Sequence, residues 1–345
     1  MVIYPWLESE WHRLVSAGRQ LHHGLLLTGN HGIGKLEFAL LFAQHLFCER
    51  KTDDGLGCDQ CHNCRLFLAG THPDLHLLTT EHQVVNSEHE LVEAYANRYQ
   101  ESTARDKKAN PSRVLPVDQV RTLIGHFGTS SHIASHRVAL IAPADAMNLS
   151  AANALLKLLE EPPGSSTLLL VSDNPGFLPA TIRSRCMKIP LAAPVDNVAS
   201  NWLSQWIPEA DAEYMVSLID AGPLAVRHLA THDFLQNHRQ MLAAVAGLSD
   251  RRLSGLDAAA MFGKMNFRQV LNWLQRFTSD LIRWIGGQNP PVWQGEITLS
   301  IERLSVRNLF FLYDKITFYR KISREPVNEQ IVLEDLMLIL QRVLR

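Results

Sequence analysis

Apolar positions along the 345-residue chain fall into two regimes. In the first part, short apolar runs alternate with stretches of helical period. Residues 24–28 (GLLLT) stop at a glycine-rich loop, which predicts a strand entering that loop. Residues 36–47 then place apolar side chains around most of a helix, as suits one packed on a sheet. Runs at 74–78 (DLHLL), 137–141 (RVALI), 167–171 (TLLLV) and 187–191 predict four more strands. Helices are predicted at 117–127, after Pro116 and with Asp118 in the first turn, and at 149–159, opened by Ser150 and stopped by Pro162 and Pro163. A short helix is predicted at 178–185. Strands alternating with helices imply an α/β fold whose parallel sheet is covered on both faces.

Beyond about Pro194 the strand signal fades. Helical patterns follow at 197–206, 212–219, 223–230, 234–245, 267–285, 297–320 and 327–344, so this part is predicted to be all-α. Residues 81–110 fit neither regime. They are polar and charged, end in ARDKKAN, and show helical period around 91–99 with little to bury. They predict an inserted, partly mobile excursion.

Length and composition add bounds. The length suggests two or three domains, and 46% hydrophobic with 20% charged residues suits a globular protein. No run of about 18 apolar residues suggests a membrane span. The N-terminus, MVIYPWLESEWHRL, has early acids and no apolar core of a signal peptide, so a cytoplasmic location is expected. A net charge of −2 argues against a protein built mainly to grip nucleic acid.

The loop after the first strand, Gly29-Asn30-His31-Gly32-Ile33-Gly34-Lys35-Leu36, fits G-x-x-x-x-G-K. Its glycines, Gly29, Gly32 and Gly34, let backbone N–H groups turn inward around phosphate oxygens. Lys35 would pair with the β- and γ-phosphates. The following position normally supplies a hydroxyl to Mg²⁺, and Leu36 has no oxygen to offer. In P-loop ATPases an apolar strand also ends in acids that act through Mg²⁺ and orient water; here residues 137–141 run into Ala142 and Pro143. Asp145 lies further into the next turn. The two losses remove both halves of one metal site, so hydrolysis is not expected. A loop that still binds phosphate or nucleotide without chemistry fits these residues too.

Of five cysteines, four are clustered as Cys48-x9-Cys58-x2-Cys61-x2-Cys64. Clustered thiols in a cytosolic chain point to metal rather than disulfides. Four thiolates match a tetrahedral, structural Zn²⁺ site with no open position; an iron–sulfur cluster uses the same ligand set. His62 lies within the cluster as a bystander, and Cys186 reads as a buried small hydrophobe. On the predicted helix 178–185, Arg183 and Arg185 read by composition as a solvated face, or alternatively as an anion site.

Taken together, HHGLLLTGNHGIGK, CDQCHNC with Cys48 ahead of it, GTHPDLHLL, SAANALLKLLEEPP, LPATIRSRC and the tail NEQIVLEDLMLIL resemble the clamp-loader branch of the AAA+ ATPases, over nearly the whole chain. The resemblance implies a AAA+ P-loop domain with a zinc module at 1–174, a small helical lid at 175–208 and a helical, oligomerising collar at 209–345. It implies that Cys48, Cys58, Cys61 and Cys64 are zinc ligands. Ser184-Arg185-Cys186 matches the family's SRC motif, which makes Arg185 an arginine finger in trans. The implied role is that of a non-hydrolysing subunit of the DNA polymerase III clamp loader, within a DNA-directed DNA polymerase holoenzyme. No activity is then expected of the isolated chain. Implied partners are gamma/tau ATPase subunits and a delta subunit in a hetero-pentamer, and through it the sliding clamp and primed DNA. ATP or ADP binding is left to the loop's remaining Gly29, Gly34 and Lys35. An active gamma/tau-like ATPase subunit is the alternative; it would carry Ser or Thr at 36 and acids after the third strand. Residues 81–110 look longer than the family needs.

Overall fold

In a computed structural model, residues 2–18, 21–85, 87, 89–100, 111–128, 133–134, 136–194, 197–219, 221–230, 234–299, 301, 304–322 and 327–344 are described. The chain divides into two compact units, one of Met1–Gln205 with Ala221–Ala225, the other of Trp206–Asp220 with Val226–Arg345.

The first unit is built on five strands: β1 (Gly24–Thr28), β2 (Leu75–Leu78), β3 (Arg137–Ile141), β4 (Ser166–Ser172) and β5 (Met187–Pro190). They lie in the order β2-β3-β4-β1-β5, and every neighbouring pair is parallel. Alternate side chains of each inner strand enter opposite cores. Leu25 and Leu27 of β1, with Val138 and Leu140 of β3, face one core; Leu26, Ala139 and Ile141 face the other. Strands buried on both faces read as continuous apolar runs, which is why β1 to β4 were visible in sequence; the edge strand β5 buries only Ile189.

Helices α1 (Glu8–Ser16), α2 (Lys35–Phe47), α3 (His62–Leu68), α4 (Glu81–Val85) and α5 (Glu90–Ala96) precede β3. Then come α6 (Val117–Phe127), α7 (Leu149–Glu160), α8 (Ala180–Ser184) and α9 (Val198–Leu203). Helix α2 is buried nearly all round, and its Phe38 and Phe42 meet Trp11 of α1 edge-on. Helix α7 is capped by Asn148, whose side chain accepts from the Ala151 N–H, rather than opened by Ser150.

Residues 81–100 correct the expectation of an excursion with little to bury. Val92, Tyr95, Ala96 and Tyr99 recur at helical spacing and are buried. The Tyr95 hydroxyl donates to the Phe67 carbonyl at 2.9 Å, and Arg98 donates to the carbonyls of His72, Leu75 and Gly70. The charged residues between them masked the stripe. Residues 101–110, the rest of that stretch, lie outside the described residues.

The second unit is helical: α10 (Glu209–Leu218), the later part of α11 (Pro223–Ala230), α12 (Phe234–Ser249), α13 (Gly255–Phe262), α14 (Phe267–Ile285), α15 (Val306–Ile322) and α16 (Glu329–Val343). Helix α14 packs along α15, and α13 along α16. The helix expected over 297–320 begins only at Val306; Ile297 and Leu299 are buried without being helical. Helices α1, α3, α4 and α13 had no counterpart in the sequence reading. Buried in this unit, the His238 ring accepts from the Trp273 indole N–H at Nδ1 (2.7 Å) and meets the Tyr214 hydroxyl at Nε2 (2.9 Å). An indole nitrogen only donates, so the neutral ring carries its proton on Nε2.

Candidate functional site

The register Thr28↔Ser172 sets the end of β1 beside the end of β4, so the glycine-rich loop begins next to Asp173. The loop turns through left-handed backbone at Gly32 (φ 78°) and Gly34 (φ 92°) before α2 starts at Lys35. Space forbids side chains there too. A Cβ on Gly32 would lie 2.4 Å from the Cβ of Ala225, and one on Gly34 would lie 2.6 Å from the Tyr4 ring. Residues 222–225 strap the loop: the Gly222 N–H donates to the His31 carbonyl at 2.7 Å, and the Leu224 N–H to the Gly32 carbonyl at 2.9 Å.

Lys35 is 4% exposed, and its ammonium group is fully used. It donates to the Gly29 carbonyl at 2.8 Å and the Asn30 carbonyl at 2.6 Å, and pairs with Asp173 Oδ1 at 2.6 Å. An ammonium has three donors, and these contacts take all three. The other oxygen of Asp173 accepts from His31 Nδ1 at 2.9 Å. Burial works to raise the Asp173 pKa, but the hydrogen bonds from His31 and Lys35 and their charges outweigh it, so the carboxyl titrates below its ordinary value. The same hydrogen bond raises His31, against burial. The carboxylate thus occupies, for Lys35, the role that the sequence assigned to a phosphate oxygen.

Neither half of a magnesium site is rebuilt. Leu36 is part-buried against the core beside α1, and Ala142 closes β3 in the same core. His31 is committed to Asp173, and Asp145 sits in a short 3-10 turn, Ala144–Ala146, after Pro143. No group of three or more metal-ligating side chains includes either of them among the described residues.

The cysteines behave differently. Cys48 caps the end of α2, Cys61 caps the start of α3, Cys58 lies in the loop between them and Cys64 in the first turn of α3. The four Sγ atoms all lie within 4.8 Å of one another. Tetrahedral ligation at Zn–S distances near 2.3 Å needs sulfurs roughly 3.8 Å apart, so only small shifts separate this cluster from a ligand shell. Backbone N–H groups point at the sulfurs: Cys58 N to Cys48 Sγ (3.3 Å), Cys61 N to Cys58 Sγ (3.3 Å) and Cys64 N to Cys61 Sγ (3.4 Å). Such donors favour thiolates, and those from Cys61 and Gln60 pull Cys58 down to about 6. Burial pushes Cys48 and Cys64 the other way. The donor set and its geometry fit a metal ion. His62 is exposed and outside the cluster, and Cys186 is buried with its thiol pushed up to about 11 by burial.

Arg185 ends α8. Its Nε and Nη2 both meet Glu160 Oε1, at 2.8 and 2.5 Å, and its Nη1 donates to the Thr181 carbonyl at 3.0 Å. Arg183 on the same helix has a buried Nε with no partner among the described residues. The structure brings Gly29, Gly32, Gly34 and Lys35 together as one loop and the four cysteines as one cluster. Sequence reasoning missed Asp173, Glu160 and the strap at 222–225. Two of these become partners only through the sheet, and no local spacing signals them.

A parallel sheet with a G-x-x-x-x-G-K loop running from its central region into a buried helix defines a P-loop protein of AAA+ type. In fold the chain is similar to a DNA polymerase III gamma subunit-related protein of Thermotoga maritima, with a TM-score of 0.51 over 98% of this chain and 99% of that one, at 13% identity. Residues 7–194 match the family described as DNA polymerase III, delta subunit. The chain is 31% identical to the DNA polymerase III subunit delta' of Pseudomonas aeruginosa, over 82% of this chain and 78% of the relative. It is 27% identical to that of Escherichia coli K12, over 99% and 96%. The chain belongs to the family of DNA polymerase III delta-prime subunits.

Proposed function

We propose that this chain is a non-hydrolysing subunit of a DNA polymerase III clamp loader, and that it serves the assembly's ATP chemistry from outside, through Arg185. The observation that carries this reading is the saturation of Lys35 by Asp173 and two loop carbonyls. A lysine with no free donor, beside a leucine and an alanine where metal ligands would stand, has no means to bind and polarise a γ-phosphate. An active gamma/tau-like subunit would need that lysine turned toward nucleotide, so the loop holds neither ATP nor ADP in this reading.

The remaining assignments follow. Residues 1–174 form the AAA+ domain, 175–208 the lid and 209–345 the collar through which the chain joins gamma/tau and delta subunits in a pentamer. The four cysteines hold a structural zinc that ties the end of α2 to the start of α3. The assembly works on a sliding clamp and primed DNA in the cytoplasm. Arg185 reaches the nucleotide of the adjoining ATPase subunit.

The test is ATP turnover by the purified chain, alone and mixed with the clamp-loader ATPase subunits. The expected result is no turnover alone and stimulated turnover in the mixture. Arg185→Ala should still assemble but lower turnover at the adjoining site by on the order of 10³ or more. Steady turnover by the isolated chain, abolished by Lys35→Ala, would overturn the reading.

A further inference from the structure

Arg185 is not a free side chain waiting for a ligand. Its side-on edge is engaged twice by one carboxylate oxygen, Glu160 Oε1, and a third N–H is taken by the Thr181 carbonyl. A guanidinium has five N–H donors in a planar fork, so donors remain on both terminal nitrogens. The side chain is 36% exposed, so the group is reachable while oriented.

Both ends of this pair stand on rigid backbone. Leu159, just before Glu160, is 1% exposed, and its carbonyl is bonded to His23 Nε2 at 2.7 Å. Cys186, just after Arg185, is 8% exposed. Between them runs Gly24 of β1, where an added Cβ would come within 3.0 Å of Leu159 Cδ2 and 3.2 Å of the Arg185 carbonyl. The start of β1 therefore holds the backbone of carboxylate and guanidinium in place, and only the side chains remain to be ordered.

We infer that Glu160 is the positioning residue for Arg185: it locks the guanidinium side-on, so that its remaining donors are presented to an anionic oxygen on a neighbouring subunit. This rests on the reading of Arg185 as a finger. A free arginine would lose its rotamer freedom each time it docked; one held by Glu160 has lost it beforehand. A surface ion pair of this kind contributes little to folding, so its effect belongs in the rate rather than in stability.

The experiment reconstitutes the assembly with Glu160→Ala, Glu160→Gln, Arg185→Ala and the Glu160→Ala/Arg185→Ala double variant, measuring turnover against ATP concentration and the melting midpoint of each chain. Glu160→Ala should lower maximal turnover roughly 3- to 10-fold, the range expected from freeing one long side chain, with KM and melting midpoint unchanged. Glu160→Gln should retain most of the rate, because one amide oxygen can still accept both N–H bonds. In the double variant the loss should equal that of Arg185→Ala alone. Full turnover in Glu160→Ala alongside a strong loss in Arg185→Ala would overturn the positioning role and leave the finger standing. So would losses that multiply in the double variant. Normal turnover in Arg185→Ala would remove the finger reading, and the positioning role with it.

Discussion

The glycine-rich loop and the cysteine cluster both lie at the start of a helix, α2 and α3, and both look in sequence like a site for an ion. They have reached opposite states. In the loop every charge is answered by the chain: Lys35 by Asp173 and two carbonyls, Asp173 by Lys35 and His31. In the cluster the chain supplies only acceptors, four sulfurs within 4.8 Å with backbone N–H groups behind them. A metal ion held by all four cysteines would couple its binding to folding. The loop is closed by an internal ion pair, and the cluster offers a donor set that an ion would complete.

Removing the ion is therefore the larger perturbation. Cys61→Ser deletes one ligand and also the sulfur that caps α3 through the Cys64 N–H. Elemental analysis should show one metal equivalent lost per chain, and the first unit should lose on the order of several kcal/mol of stability. A variant that keeps both its metal content and its unfolding midpoint would mean that Cys61 is no ligand.

The closed loop should respond to mutation as structure, not as chemistry. Lys35→Met leaves the half-buried Asp173 with His31 alone and should cost about 1–3 kcal/mol in urea unfolding. Turnover by an assembly containing this variant should be unchanged, the reverse of the result expected for Arg185→Ala. Lost turnover in a stably folded Lys35→Met chain would show that the loop takes part in nucleotide chemistry, and the contrast with the cysteines would fail.

What was legible in the sequence follows the reach of each signal. The cysteines are separated by nine, two and two residues, so their meeting needs no knowledge of the fold. The doubly buried strands announced themselves as apolar runs, and Leu36, Ala142 and Pro143 could be read as missing ligands because each sits at a fixed offset from a strand. Asp173 could not be read this way: it stands 142 positions from His31 and meets it only because β1 and β4 pair in register. Glu160 and Arg185 are likewise joined by where α7 and α8 end. Residues 81–100 were misjudged for a local reason. The helical period around 91–99 was visible, but it was diluted by Glu, Asn and Arg that stay outside, so mean polarity hid how deeply Val92, Tyr95, Ala96 and Tyr99 are buried.

The smallest effect is in the second unit, where a buried polar group is again satisfied by the chain itself. His238 must stay neutral, because a proton on Nδ1 would face the Trp273 indole N–H. Burial, with the charges of Arg239 and Arg276, holds its pKa at about 4. In the unfolded chain the same ring titrates near 6.5. Above that value both states are neutral and stability is unaffected. Between about 6.5 and 4 the unfolded state binds the proton and the folded state does not, so stability falls as pH falls, by up to about 1.4 kcal/mol per pH unit. His238→Gln removes this proton. It should be the less stable protein at pH 7.5, through the lost Tyr214 and Trp273 bonds, but urea unfolding followed by tryptophan fluorescence should show the gap from the parent narrowing by about 1 kcal/mol between pH 7 and 5.5. Parallel pH profiles for the two proteins would mean that His238 accepts its proton in the folded state, and that this polar cluster, unlike the phosphate loop, is not closed.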